Sequence, residues 1–170
     1  GVKVTAETAP HYFSLTDRAL LSRDADFRMN PPLRTIADVD EIINGLLDGT
    51  LDAIATDHAP HTPEEKADFE KAPNGSIGME TSLAVGITCL VKSGLMSFEK
   101  LVEKMSVNPA KILGIEAGTL SLGANADIAL VDPDEEWTVD VQKLHGKSKN
   151  TPFKGRRLFG KVKKTILGGK

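Results

Sequence analysis

The sequence has little of three features that would each assign it to a class of protein. It contains one cysteine, Cys89, which excludes an internal disulfide and fits a reducing, cytosolic setting. No apolar run approaches the roughly 18 residues that cross a bilayer, and no signal-peptide pattern opens the chain. The net charge is −3 without a long block of one sign, so nothing predicts the basic face that binds nucleic acid.

The remaining composition is that of a globular protein. Hydrophobic residues make up 40% and charged residues 26% of 170 residues, which predicts one ordinary domain or a domain with a small appendage. Cys89 lies in the apolar run "LAVGITCLV" with no basic neighbour, so we expect a core thiol and not a nucleophile. The basic stretch "KGRRLFGKVKK" is typical of a solvated hairpin, with an anion site as the alternative.

Hydrophobic periodicity predicts alternating strands and helices in the first two thirds of the chain. Alternating β-branched residues predict a strand at 2–6, and a mostly apolar run predicts a second strand at 51–56. Helices are predicted at 36–48 after a Thr35 cap, at 79–93, at 97–105 after a Ser97 cap, and from Pro109 to Gly114 after an Asn108 cap. This order is typical of a parallel α/β protein.

The pattern of predicted secondary structure changes near residue 118. Short β runs separated by glycines and polar turns follow, and they predict a small β unit. We therefore divide the chain into segments 1–117 and 118–170. Two strand–helix units cannot close a barrel, and the chain opens directly in a strand without methionine, so we expect it to be the C-terminal part of a longer protein.

The segment "DAIATDHAPHTPEEK" concentrates titratable groups at the end of the second predicted strand. In parallel α/β proteins reactive groups cluster at the carboxyl ends of strands, which is where Asp57 falls. A carboxylate there can bind a metal, act as a general base, or do both. His58 is interpreted as a packing residue, whereas His61 could donate to a substrate carboxylate. A turn-capping aspartate beside solvated histidines is the alternative interpretation.

Several segments together resemble the C-terminal portion of a class I dihydroorotase, a member of the amidohydrolase superfamily. They are "TAPHYFSLTD", "MNPPLR", "DGTLDAIATDHAPHTPEEK", "GSIGMETSLAV" and "NPAKILG…GTLSLGANADIALVDP". The pair "NPPLR" and "ATDHAPHT" carries most of the specificity, because "NPAKILG" and "GANADIALVD" occur across amidohydrolases, including hydantoinases and allantoinases. The resemblance implies the C-terminal part of a metal-dependent (β/α)8 TIM barrel over 1–117. It implies C-terminal strands of a small β domain over 118–170.

The resemblance also implies an activity and the residues that carry it. The activity is zinc-dependent, reversible cyclisation of N-carbamoyl-L-aspartate to (S)-dihydroorotate in pyrimidine biosynthesis. Asp57 would be a metal ligand and the proton shuttle, and Asn30, His61 and the pair Asn74–Gly75 would contact substrate. Family members often carry an aromatic residue where this chain has Asn74. His11 is interpreted as structural or supporting, because it matches no assigned ligand.

Two alternative functions remain open for the whole protein. Another cyclic amidohydrolase, such as a dihydropyrimidinase, hydantoinase or allantoinase, would use the same metal chemistry on a different ring. A non-catalytic scaffold subunit of aspartate carbamoyltransferase is the alternative outside enzymes. The whole protein is expected to be cytoplasmic and homodimeric, to hold one or two zinc ions, and to bind a small-molecule substrate without nucleic acid or membrane. The remaining metal ligands are expected upstream of this chain, which would be inactive alone.

Overall fold

A computed structural model describes residues 2–170, and Gly1 lies outside the described range. The strands are β1 (Glu7–Thr8), β2 (Ala53–Ile54), β3 (Ile128–Thr138) and β4 (Arg157–Ile166). The α-helices are α1 (Pro10–Ser14), α2 (Ile36–Asp48), α3 (Ser82–Gly86), α4 (Phe98–Val102) and α5 (Asn108–Leu113). Turns of π-helix follow α3 and α4 (Ile87–Val91, Glu103–Val107), and 3₁₀ turns lie at Asp17–Ser22, Ala25–Phe27 and Val141–Lys143.

Strands β1 and β2 pair in parallel, with Thr8 opposite Ile54. The strand predicted at 2–6 is wrong, because the ladder begins at the carbonyl of Ala6 and β1 lies just beyond it. The strand predicted at 51–56 contains β2 but exceeds its two paired residues. Periodicity identifies residues that suit a strand, whereas the register between the two strands decides which of them pair.

Helix α2 forms as its local sequence predicts. The Thr35 hydroxyl accepts a hydrogen bond from the Asp38 N–H, and the Asp38 carboxylate accepts one from the Thr35 N–H at 3.0 Å. This reciprocal capping box satisfies two backbone donors at the start of the helix. Gly49 ends it in the left-handed conformation with φ 91°. Val39 and Leu46 are buried on the side that faces the core.

Helical structure runs without a break from Phe98 to Leu113, where two separate helices were expected. The predicted helix 79–93 is shorter, and Ser97 caps α4 as predicted by accepting from Lys100 N–H at 3.2 Å. The prediction of Asn108 as a cap is wrong, because Val107 has helical angles (φ −66°, ψ −50°) and the helix runs on. The Asn108 amide instead donates to the carbonyl of Asp52 at 2.9 Å, just before β2.

Strands β3 and β4 form an antiparallel pair beyond residue 127. The pair packs on the helices through β4, because buried Leu158 shares one hydrophobic cluster with Ile87 and Leu90, and Val139, directly after β3, joins the same cluster. The chain is thus built of helices, a parallel pair and an antiparallel pair, as the α/β interpretation expects. The division at 117/118 stays a prediction. Within residues 2–170 no helix is both long and apolar enough to cross a bilayer.

Candidate active site

The carboxyl ends of β1 and β2 lie side by side, because the two strands are parallel neighbours. α1 begins two residues after β1, and Asp57 follows β2 after two intervening residues. Asp57 adopts φ 49°, in the left-handed region that aspartate enters more readily than most residues. Its side chain remains 49% exposed. This backbone turn therefore presents a partly solvated carboxylate at the strand ends.

His11, on α1, is the side chain that faces Asp57. Its Nε2 lies 3.4 Å from Asp57 Oδ2, and the side chain is only 2% exposed. Burial lowers the pKa of His11 to about 4, although the negative charge of Asp57 acts in the opposite direction. The imidazole is therefore neutral near pH 7. Within residues 2–170, Nε2 has no hydrogen-bond partner of good geometry.

Tyr12 joins the end of β1 to the segment that contains Asn30. Its ring meets the His11 ring edge-on at 4.1 Å, and its hydroxyl donates to the carbonyl of Pro31 at 2.9 Å. Burial, and secondarily the charge of Asp57, raises the pKa of Tyr12 to about 12. Tyr12 therefore keeps its proton at neutral pH and fixes the backbone directly after Asn30.

A cavity of about 570 Å³ opens at these strand ends. Thr8, Tyr12, Asn30, Pro31 and Asp57 are among the residues that line it, and we call it the strand-end cavity. Asp57 and Asn30 are both exposed, and both therefore face the same solvent-filled space. The Thr8 hydroxyl is buried and lacks a hydrogen-bond partner within residues 2–170. The cavity thus contains one buried hydroxyl that the described chain leaves unsatisfied, beside the exposed groups of Asp57 and Asn30.

His61 lies in a second group of predicted site residues, on the loop 58–78. Its Nε2 is 3.0 Å from the carbonyl of Asn74, which can only accept, so this nitrogen carries the proton. Its Nδ1 lies 3.6 Å from a carboxylate oxygen of Glu65. A donation from His61 to a substrate carboxylate therefore requires either loss of the Asn74 contact or protonation of Nδ1.

Gly75 connects the loop 58–78 to the segment of Asn30. Its N–H donates to the carbonyl of Arg28 at 2.7 Å, two residues before Asn30. It has φ +112°, and an added Cβ would lie 2.5 Å from the Cβ of Ala59. Glycine is required here for both conformation and space. The structure thus brings the Asn74–Gly75 pair close to His61 and ties it to the cavity wall.

Two supporting contacts involve residues that had a minor place in the sequence interpretation. His58 Nδ1 accepts from the N–H of Gly78 at 3.1 Å, which agrees with a packing role. Cys89 is half-buried against the core, and burial raises the pKa of its thiol, so it is a weak nucleophile.

The sequence interpretation named His11 only as structural or supporting, and it did not name Tyr12 or Asn150. The "PHY" turn after β1 could have indicated His11 and Tyr12, because a parallel neighbour strand brings them to the edge where Asp57 lies. Asn150 had no such signal. It is 5% exposed and bonds to residues of the loop 58–78 that precede it by as many as 91 positions.

The chain supplies part of a metal site at most. Among residues 2–170, no three His, Cys, Asp or Glu side chains converge as a metal-binding group. Asp57 nevertheless fits the role of a single ligand, because its carboxylate is accessible from the cavity and faces a buried nitrogen without a partner. Oxygen ligands of this kind suit a divalent ion.

Comparison with known proteins gives consistent matches along the whole chain. A model described as "Amidohydrolase family" matches residues 9–170. The chain is 56% identical to "Dihydroorotase" of Geobacter metallireducens over 171 residues, covering 100% of this chain and 40% of that protein. It is 55% identical to "Dihydroorotase" of Acetivibrio thermocellus, covering 99% of this chain and 40% of that protein. The chain thus spans about 40% of the length of these curated relatives.

Solved structures give the same picture at lower identity. An L-hydantoinase (dihydropyrimidinase) from Arthrobacter aurescens superposes with a TM-score of 0.92 at 32% identity, covering 98% of this chain and 38% of that chain. A dihydropyrimidinase from Brevibacillus agri NCHU1002 superposes with a TM-score of 0.90 at 31% identity, with the same coverage of 98% and 38%.

Proposed function

This chain belongs to the amidohydrolase family, and on that premise we propose that it is the C-terminal part of a dihydroorotase barrel with its small β segment. The whole protein then interconverts N-carbamoyl-L-aspartate and (S)-dihydroorotate in pyrimidine biosynthesis. The observation that carries the proposal is Asp57, which stands at the carboxyl end of β2 and lines one cavity with Asn30. The carboxyl ends of parallel strands are where α/β barrels hold their reactive groups.

The choice among cyclic amide hydrolases is supported by sequence similarity. Relatives at 56% and 55% identity are named dihydroorotase, whereas the hydantoinase and dihydropyrimidinase structures share 32% and 31% identity. Dihydroorotate differs from dihydrouracil by a carboxylate, which needs fixed donors. The Asn30 amide and the His61 imidazole are donors of the appropriate kind.

Asp57 is the residue of this chain that would hold a divalent metal ion such as Zn²⁺, with one or two ions completed by ligands from the rest of the whole protein. When bound, such an ion lowers the pKa of a water to about 7 and polarises a carbonyl. Asp57 Oδ2 carries the proton from the attacking water to the ring nitrogen that leaves, acting first as base and then as acid. His11 adds a neutral group beside Oδ2 without adding charge.

Substrate binding falls to the groups around the cavity. Asn30, held in place by the Tyr12–Pro31 hydrogen bond, faces the space beside Asp57. His61 and the pair Asn74–Gly75 bind the substrate carboxylate from the loop 58–78. Because Nε2 of His61 already donates to Asn74, the proton for this contact comes from Nδ1 of an imidazolium or from a rearranged ring.

An assay of the complete protein that carries this chain tests the proposal. We expect kcat/KM for dihydroorotate to exceed that for dihydrouracil, hydantoin and allantoin by at least about 100-fold, since the donors placed for the carboxylate would lose their partner with the neutral rings. We also expect at least one zinc ion per subunit. A preference for a neutral ring would contradict the substrate assignment. Absence of both turnover and bound zinc would favour the scaffold alternative.

The setting of the whole protein is part of the same proposal. We expect it to be cytoplasmic and homodimeric, and to be capable of forming a complex with aspartate carbamoyltransferase. We expect residues 1–170 alone to lack activity, because the described part of the chain holds no complete metal-binding group.

A further inference from the structure

Asn150 makes a dense set of hydrogen bonds outside the strand-end cavity. Its Oδ1 accepts from the His61 N–H at 3.0 Å, and its Nδ2 donates to the carbonyls of Ala59 at 3.0 Å and Gly75 at 3.2 Å. Its own carbonyl accepts from the N–H of Ile77 at 2.9 Å. The amide thus uses its acceptor and donors, and the residue is only 5% exposed.

These bonds join the two ends of the loop 58–78. One end contains Ala59 and His61, and the other contains Gly75 and Ile77. The direct backbone link between the ends is the bond from Ala59 N–H to the carbonyl of Ser76 at 2.8 Å. Asn150, which lies between the 3₁₀ turn Val141–Lys143 and β4, adds three side-chain hydrogen bonds that reach both ends.

We propose that Asn150 is a positioning residue for the substrate-binding loop of the reaction proposed above, on which this inference rests. One rigid amide binds the backbone of His61 and of Gly75 at once, so it fixes His61 relative to the Asn74–Gly75 pair. A substrate carboxylate held between these positions depends on that spacing. Asn150 acts through the loop and does not touch substrate, so it gives the β segment a role in substrate binding.

The geometry requires asparagine specifically. Aspartate has the same shape and keeps the acceptor for His61 N–H, but it turns an anionic oxygen toward the carbonyls of Ala59 and Gly75. Two acceptors would then face a buried charge without a proton between them, which is strongly unfavourable. Serine keeps one donor or one acceptor, and alanine keeps neither. The expected order of function is Asn above Ser, then Ala, then Asp.

The test uses Asn150→Ser, Asn150→Ala and Asn150→Asp in the complete enzyme. We expect KM for dihydroorotate to rise by about 10-fold to 100-fold along this series while kcat falls less, because displaced binding groups weaken substrate binding. Amide hydrogen exchange at His61 and Ile77 should accelerate in parallel, since these N–H groups lose their acceptor or its support. If Asn150→Asp does not fold, the serine and alanine variants carry the comparison.

Asn108→Asp is the matched control, because Asn108 also donates from Nδ2 to a carbonyl, that of Asp52 at 2.9 Å, away from the loop 58–78. We expect it to lower the melting temperature while KM stays within about twofold. Faster exchange in the Asn150 series with unchanged KM would overturn the positioning role, and unchanged exchange would overturn the loop contact itself. Failure of the wild-type enzyme to use dihydroorotate would instead refute the proposed function, and the exchange measurement would still decide whether Asn150 holds the loop.

Discussion

The strand-end cavity and the loop 58–78 differ in how far their buried polar groups are hydrogen-bonded. The hydroxyl of Thr8 in the cavity wall and Nε2 of His11 beside Asp57 are buried without hydrogen-bond partners among residues 2–170. At the loop 58–78, by contrast, the side-chain amide of Asn150 donates to the carbonyl of Gly75, and the N–H of Gly75 donates to the carbonyl of Arg28.

This difference in hydrogen bonding distinguishes a site that binds and reacts from a loop that has a structural role. Buried polar groups are normally hydrogen-bonded, so an unsatisfied group marks a place where something else binds or where energy is stored. The cavity, with Asp57 in the left-handed conformation, has that character. In the loop, hydrogen bonds hold His61 against Asn74 and Asn150. Substitutions in the first region should therefore affect chemistry, and substitutions in the second should affect binding and stability.

The largest expected effect comes from Asp57→Asn in the complete enzyme. Asparagine tolerates the same left-handed backbone but cannot exchange a proton, so kcat should fall by about 1,000-fold or more with little change in melting temperature. Steady-state assays with dihydroorotate measure this. Asp52→Asn, at the other end of β2, removes a carboxylate that accepts from Ala6 N–H at 2.8 Å and should leave kcat within about threefold. Near wild-type activity of Asp57→Asn would contradict the proton shuttle.

The second effect is a pH dependence of stability from His11. Its pKa is 6.5 unfolded and about 4 folded, so between these values the unfolded chain binds more protons. Stability should therefore fall as the pH is lowered from 6.5 to about 4, by at most about 3 to 4 kcal/mol, with no further loss from His11 below that range. Urea unfolding of the metal-free chain across this interval measures it. His11→Asn should remove this slope, and an unchanged slope would contradict the assignment to His11.

The third effect sharpens the description of the loop as a packed frame. Gly75→Ala should lower the free energy of unfolding by about 2 to 4 kcal/mol, because φ is +112° and the new Cβ would overlap Ala59. Gly94→Ala is the matched control, with φ +77° and no atom within 4 Å, so only backbone strain of about 1 kcal/mol remains. Denaturant titration compares the two, and equal losses would contradict tight packing at Gly75.

The smallest effect lies outside both regions. Thr35→Ala removes the side-chain half of the α2 cap and should cost about 1 kcal/mol of stability. kcat and KM should stay within about twofold, because Thr35 itself does not line the strand-end cavity, whereas its partner Asp38 does and loses one hydrogen bond. Thermal unfolding together with kinetics checks this. A kinetic defect in this variant would mean that general destabilisation alone can alter activity.

Local signals made part of this fold predictable. Thr35 and Gly49 mark the ends of α2 by their own chemistry, and both ends fall where the sequence predicts. Asn108 carries an equally clear capping signal, yet its side chain bonds to Asp52 and the helix continues through it. The hydrogen bond to Asp52, a contact distant in sequence, therefore replaced the local capping role of Asn108. For the same reason the register with β2 decided which residues form β1.

Some residues of the candidate site could likewise be identified from local sequence, and others could not. Asp57 and Asn30 could be named from sequence, because strand ends and the "NPPLR" segment carry recognisable patterns, and the structure puts them on one cavity. His11 was named only as structural or supporting, and its contact with Asp57 needed knowledge of which strands are neighbours. Asn150 needed the full three-dimensional fold, since its partner His61 lies 89 residues away. No periodicity or local motif encodes a contact over that separation.

The most direct test is a crystal structure of the complete protein with dihydroorotate, with the metal located by anomalous scattering at the zinc edge. We expect a metal about 2.0 to 2.2 Å from a carboxylate oxygen of Asp57, with the substrate in the strand-end cavity against Asn30. A metal and substrate bound elsewhere, with Asp57 outside coordination distance of both, would contradict it.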